Sequence, residues 1–200
     1  MLAQDLASLN VSLASIERDL EINLSTAQWV VNAYLLVYGM LIVTGGRLAD
    51  ELGRRRLFLV GAAIFAVASV LGGLAPNVYW LIGARALMGI GSGLMLPAIT
   101  GMAYAVVPEE RAELAGGLIV GAYGIGMTIG PIAGGALTEF LGWRWIQFVN
   151  LPIALLAMVG VWRAILPDPA VARPTIDYAG IVTLSAGLVS LLFALGQASA

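Results

Sequence analysis

Long apolar stretches alternate with short polar ones along this chain, and the stretches are as long as a membrane is thick. Residues 22–46 carry no charge, and neither do residues 57–84. Each run exceeds the ~20 apolar residues that an α-helix needs to cross a bilayer. Between them, positions 45–56 (GGRLADELGRRR) hold four arginines and two acids. A charged stretch this short between two spanning lengths reads as a tight loop joining two transmembrane helices. The pattern predicts helices over 29–48, 57–75, 78–103, 114–137 and 146–166, with a further helix starting over 178–200. Residues 1–16 predict a first helix of only about 24 Å, short of a full crossing. It is therefore expected to be incomplete or abnormally short.

Turn chemistry places the connections. Ser25, with Gln28 three residues on, forms a capping-box pattern that predicts the start of the second helix. Pro76 and Asn77 predict a tight turn. The loops at 17–27, 76–77 and 140–145 then fall on one side, and those at 49–56, 104–113 and 167–177 on the other. Seven arginines (47, 54, 55, 56, 111, 163 and 173) lie on the second side and two, Arg18 and Arg144, on the first. The positive-inside bias makes the arginine-rich side cytoplasmic.

Composition agrees with lipid as the solvent. The chain is 60% hydrophobic and 11% charged, against roughly 45–50% apolar for soluble domains. The net charge of −2 and the lack of a basic tract give no sign of a nucleic-acid partner. Cysteine and histidine are absent, which excludes disulfides and Cys/His metal sites and confines proton handling near neutral pH to carboxylates. No nucleophile–base pair, metal cluster or phosphate loop suggests an enzyme or a bound cofactor. Asp5 and the missing basic segment argue against an N-terminal signal peptide.

Several strings resemble those of the major facilitator superfamily. GGRLADELGRRRLFL is similar to its loop motif, Gly-x-Leu-Ala-Asp-x-x-Gly-Arg-Arg, at Gly46, Leu48, Ala49, Asp50, Gly53, Arg54 and Arg55. Glu51 stands where the family usually has a basic residue. LIGARALMGIGSG resembles the fourth-helix motif through Arg85, Gly89 and Gly91, with Met88 in place of the family's glutamine. GAYGIGMTIGPIAGG resembles the fifth-helix antiporter motif through Gly126, Gly130, Pro131, Gly134 and Gly135. Asp5, Asn10, Val11 and Leu13 partly match the first-helix motif, with Ala7 and Ala14 departing from it. WRWIQFVNLP resembles a string of the fourteen-helix drug:proton antiporter subfamily.

The resemblance implies an all-α transmembrane protein. Residues 1–166 would be the N-terminal six-helix half of a transporter, 167–177 a cytoplasmic loop, and 178–200 the start of a linker helix. It implies proton-coupled export of drug-like hydrophobic or cationic compounds across the plasma (inner) membrane, with a C-terminal half as partner. Asp5 and Arg85 are the expected proton-coupling residues. Counted along the helices, their depths differ by only roughly 10 Å, part of which the long arginine side chain can span, so a direct pair or a water-bridged link is expected. An intramembrane arginine faces a partner or a wet cavity, or it snorkels to the outer surface. Gly46, Asp50, Gly53, Arg54 and Arg55 would latch one state, Asp50 by facing a neighbouring helix N-terminus; a merely topogenic loop is the plainer alternative. The helix-five glycines permit close helix approach and Pro131 a kink; a dimerisation face is the alternative. Asn32, Tyr34, Tyr38, Tyr123 and Gln147 are candidate substrate contacts. A metabolite uniporter or symporter, or a non-transporting membrane sensor, are the other functional classes.

Overall fold

A computed structural model describes residues 1–166 and, beyond them, only Gly180, Thr183 and Gly187. The expected loop at 167–177 and the seventh helix at 178–200 otherwise lie outside the described residues. Six helices follow one another: α1 (Leu2–Asp19), α2 (Leu24–Leu52), α3 (Arg54–Gly73), α4 (Val78–Val106), α5 (Ala112–Phe140) and α6 (Arg144–Ala164). A single 3-10 turn, Glu109–Arg111, precedes α5. All but α1 are long and apolar enough to cross a membrane. α1 holds four charges, Asp5, Glu17, Arg18 and Asp19. The chain is a multi-pass membrane protein.

The helices outrun the apolar stretches that predict them. The 49–56 loop shrinks to Gly53, whose φ of 98° suits glycine and joins α2 to α3 without slack. Arg47 and Glu51 pair one turn apart at 3.0 Å, and Asp50 and Arg54 at 2.8 Å, so the charged residues continue the helices. The 17–27 loop contracts likewise to residues 20–23. Asn23 caps α2 by accepting from the Thr26 N–H at 2.8 Å; the Ser25–Gln28 capping box does not form, because the helix has already begun at Leu24. Asn77 caps α4 by accepting from the Trp80 N–H at 2.9 Å.

α4 is the centre, wedged between α2 and α3, while α5 lies on α1 and α6 on α3. Small residues allow these approaches. Gly61 of α3 and Gly91 of α4 face each other so closely that a Cβ on either would lie within 2.7 Å of the other's carbonyl oxygen. Pro97 leaves the Gly93 carbonyl without its intrahelical donor, and a Cβ on Gly45 of α2 would collide with that oxygen. Around these contacts pack Tyr34, Phe58, Phe65, Met88 and Met95.

α5 touches α1 along one strip only. A Cβ at Gly130 would lie 2.6 Å from the Ala7 Cβ, and one at Gly134 2.6 Å from the Ser8 Cα. The opposite surface of α5 is open, with Val120 and Ile132 each 72% exposed.

Candidate functional site

α1 turns a polar face inward: Gln4, Asp5, Ser8 and Ser12 are all buried. Asp5 and Arg85 are the only fully buried charged side chains among the described residues. They meet directly, with Arg85 Nη1 2.6 Å from Asp5 Oδ2. The arginine's long stem spans the depth difference counted along the helices, the direct pair forms, and Arg85 does not snorkel outward.

The four other helices reach this pair, directly or through one more side chain. Arg85 Nε donates to the Val30 carbonyl of α2 at 3.3 Å, and the guanidinium lies 4.6 Å from the centre of the Tyr34 ring. Tyr34 donates to Ser92 at 2.8 Å. From α6, Asn150 Nδ2 donates to Asp5 Oδ1 at 2.7 Å and to Ser69 Oγ of α3 at 3.1 Å. Ser69 donates to the Gln147 carbonyl at 2.6 Å. α5 joins through Ser8, which donates to the Gly130 carbonyl at 2.7 Å. A buried ion pair gains little over an apolar core, but removing one partner leaves a stranded charge at a cost of about 3–5 kcal/mol.

The arginine-rich end carries a second cluster. Arg54 gives two hydrogen bonds to Asp50 Oδ1 and one to the Gly101 carbonyl of α4 at 2.7 Å. Gly101 has no side chain to block it: a Cβ there would lie 2.7 Å from Arg54 Nε. Arg55 Nη2 donates to the Trp162 carbonyl of α6 at 2.8 Å. Asp50 meets the Arg54 guanidinium and not the backbone N–H groups of a neighbouring helix, because α2 continues past it and turns its side chain outward. Gly46 faces Pro97, with 3.7 Å left for a Cβ. Glu51, the departure from the family pattern, pairs with Arg47 on its own helix.

At the opposite end, Asp19 accepts from Trp143 Nε1 at 3.1 Å and from Arg144 Nη1 at 2.5 Å. Arg144 also donates to the Ala75 carbonyl at 3.3 Å. This clamp joins α1, the end of α3 and the start of α6. The Arg144 guanidinium and the Trp143 N–H hold the Asp19 carboxyl below the usual carboxylate range.

The candidate substrate contacts scatter. Tyr34 is part of the charge network and is buried. Gln147 is buried between α3 and α6, beside Gly72, and opens on no solvent. Tyr38 is half-buried and stacks on Tyr34, with ring centres 5.9 Å apart. Asn32 and Tyr123 are exposed. Asn10 bonds back to the Leu6 carbonyl on the exposed side of α1. Of the helix-five motif, Gly126, Gly130 and Gly134 contact α1, whereas Gly135 has only ordinary contact with Val11. Sequence reasoning missed Asn150 and Ser69 as site residues. A signal was there: Trp143, Gln147 and Asn150 fall on one helical face of an otherwise apolar element.

Comparisons with known proteins agree with this architecture. The puromycin resistance protein pur8 of Streptomyces alboniger is 41% identical over 194 residues, covering 95% of this chain and 38% of that protein. The tetracenomycin C resistance and export protein of Streptomyces glaucescens is 35% identical, covering 100% of this chain and 37% of that protein. The multidrug transporter protein MdtP of Bacillus subtilis is 39% identical, covering 86% and 32% respectively. The chain thus spans well under half the length of these relatives. Among solved structures, a peptide transporter POT bound to sulfate superposes with a TM-score of 0.73 at 17% identity, covering 96% of this chain and 43% of that one; this likeness concerns the fold alone. The family model of the Major Facilitator Superfamily matches residues 1–194. With its six packed helices and its loop, helix-four and helix-five strings in place, the chain belongs to the Major Facilitator Superfamily.

Proposed function

We propose that this chain is the N-terminal half of a proton-coupled exporter of drug-like compounds, working with a C-terminal half in the plasma (inner) membrane. The observation that carries the reading is the Asp5–Arg85 pair, a carboxylate sealed among helices with no other fully buried charged side chain among the described residues. The resistance and export roles named for the relatives support the substrate class. The arginine bias supports loops 49–56, 104–113 and 167–177 as cytoplasmic, with the Asp19–Arg144 clamp outside.

The ionised Asp5 holds Arg85, and with it α1 against α4. A proton on Asp5 cancels that attraction and leaves Arg85 stranded. The cost of an uncompensated buried charge, about 3–5 kcal/mol, approaches the ~5.5 kcal/mol that moves a two-state equilibrium from 1:99 to 99:1. Protonation of Asp5 therefore favours a state in which Arg85 finds another partner. Arg54 on Gly101 and Arg55 on Trp162 stabilise the arginine-rich end in one of the two states. The exposed apolar strip of α5 faces the second half and lipid. Drug and proton alternate at the central site, the substrate reaching it from the side of Tyr38 and Tyr123. A non-transporting sensor would need no titratable group at Asp5, and a metabolite uniporter or symporter would not ordinarily carry the helix-five Gly-Pro string, present at Gly130, Pro131, Gly134 and Gly135.

The test is export of puromycin and ethidium by the transporter that this chain forms with its second half. Asp5→Asn should abolish export against a gradient while leaving membrane insertion and downhill flux intact. Active, proton-driven export by this variant would overturn the coupling role.

A further inference from the structure

The polar string that opens α6 runs from the outer clamp to the buried pair, and its last polar member has no part in the mechanism so far. Asn150 is fully buried. Its Nδ2 is shared between Asp5 Oδ1 and Ser69 Oγ, while its Oδ1 is buried and has no hydrogen-bond partner.

We infer that Asn150, steadied by Ser69, is a positioning residue for proton coupling: its amide fixes the ionised Asp5 and passes the change of protonation state to α3 and α6. The inference rests on the reading of Asp5 as the coupling carboxylate. An ionised carboxylate only accepts hydrogen bonds, so the amide must present Nδ2, as it does. A protonated carboxyl carries an O–H and needs an acceptor, and asparagine holds one on its other branch. A half-turn of the amide exchanges Nδ2 for Oδ1. The proton, taken from the outer solution onto Asp5 Oδ1, stays on that oxygen and is donated to Asn150 Oδ1. The Ser69 hydroxyl, no longer an acceptor for Nδ2, swings from the Gln147 carbonyl to Asn150 Oδ1. Protonation on α1 thus releases a carbonyl on α6.

Few other groups set the pH response. Arg85 faces Asp5 from α4, and Tyr34 of α2 lies within its field. α3 and α6 bring only the neutral Ser69 and Asn150, and α5 approaches α1 through Gly126, Gly130 and Gly134.

The experiment is pH-difference infrared spectroscopy on the purified complete transporter, which needs no substrate. The protonated-carboxyl band that disappears in Asp5→Asn belongs to Asp5, and its midpoint is then followed in position-150 variants. Asn150→Leu removes the donor to the ionised form and should raise that midpoint by about one to two pH units, the worth of a hydrogen bond to a charged group. The band position should also move as the acid loses its acceptor. Asn150→Asp, almost the same size, sets a second carboxyl beside the first and should raise the midpoint further; it carries the test should the leucine variant fail to fold. Asn150→Ser, which keeps a hydroxyl donor and acceptor, should move it least. An unmoved Asp5 band in Asn150→Leu and Asn150→Asp overturns the inference and leaves the coupling reading standing. If Asp5→Asn removes no band, the coupling reading itself falls.

Discussion

α2 meets α4 and α1 meets α5 by the same device, glycine backbones in near contact, yet the two interfaces are built for different duties. At the first, backbone presses on backbone: Gly45 on the Gly93 carbonyl, and Gly89 so near α2 that a Cβ would lie 2.7 Å from the Tyr34 carbonyl oxygen. α3 closes the far side of α4, and large apolar side chains seal both seams. Nothing there can yield without moving a helix that is held on two sides. At the second, α5 offers a strip of glycines to α1, and within this half its opposite face is exposed. α4 is braced from two sides where it carries Arg85, and α5 is held within this half mainly from the side of α1.

Equal insults should therefore have unequal effects. Gly45→Ala drives a methyl into a carbonyl that has no room to retreat. It should cost about 3 kcal/mol or more, at the upper end for overpacking, read as a lost or strongly lowered melting transition of the purified transporter. Gly134→Ala overlaps Ser8 as badly, but within this half α5 is braced from fewer sides than α4; about 1–2 kcal/mol is expected. Its neighbour Gly135→Ala has 3.8 Å of clearance to Val11 and should be neutral or stabilising by up to about 1 kcal/mol through helix propensity. Equal losses at positions 45 and 134 would erase the distinction between a helix braced on two sides and one held mainly on one.

The smallest effect belongs to the outer clamp. The Asp19 carboxyl titrates lower in the folded protein than in the unfolded chain. Its contribution is therefore complete above about pH 4, the ordinary aspartate range, and fades as pH falls through the lowered native value. Because the Arg144 and Asp19 side chains are 38% and 45% exposed, it amounts to at most about 1 kcal/mol. Asp19→Asn should lower the melting temperature slightly at neutral pH and make no difference in strong acid.

How much of this could be read from residues alone follows from what each pattern encodes. Apolar length and arginine bias locate the helices, since bilayer thickness imposes them. They misplace the ends, because pairs such as Arg47–Glu51 carry a helix beyond the apolar stretch where hydropathy stops reporting it. Asp5 and Arg85 stand out as charges in apolar surroundings, and counting along their helices brings them near enough to pair, as they do. Asn150 and Ser69 carry no charge, and their meeting depends on α3 packing against α6, a pairing that no local pattern records. Gln147 and Tyr34 look like cavity polars until the packing shows each turned into the protein.

The bare carbonyl of Gly93 has a mechanical consequence. A helix is stiff because each turn is bonded to the next, and α4 lacks one such bond where Pro97 has no N–H to give. That soft spot lies about two turns from Arg85, which grips Asp5, and about one turn from Gly101, which Arg54 grips. Gly45, with no side chain, lets α2 lie directly against that carbonyl. The stretch of α4 between the place where a proton is felt and the place where the far end is fastened therefore takes its stiffness from the helices packed on either side of it, and less from its own hydrogen-bond ladder.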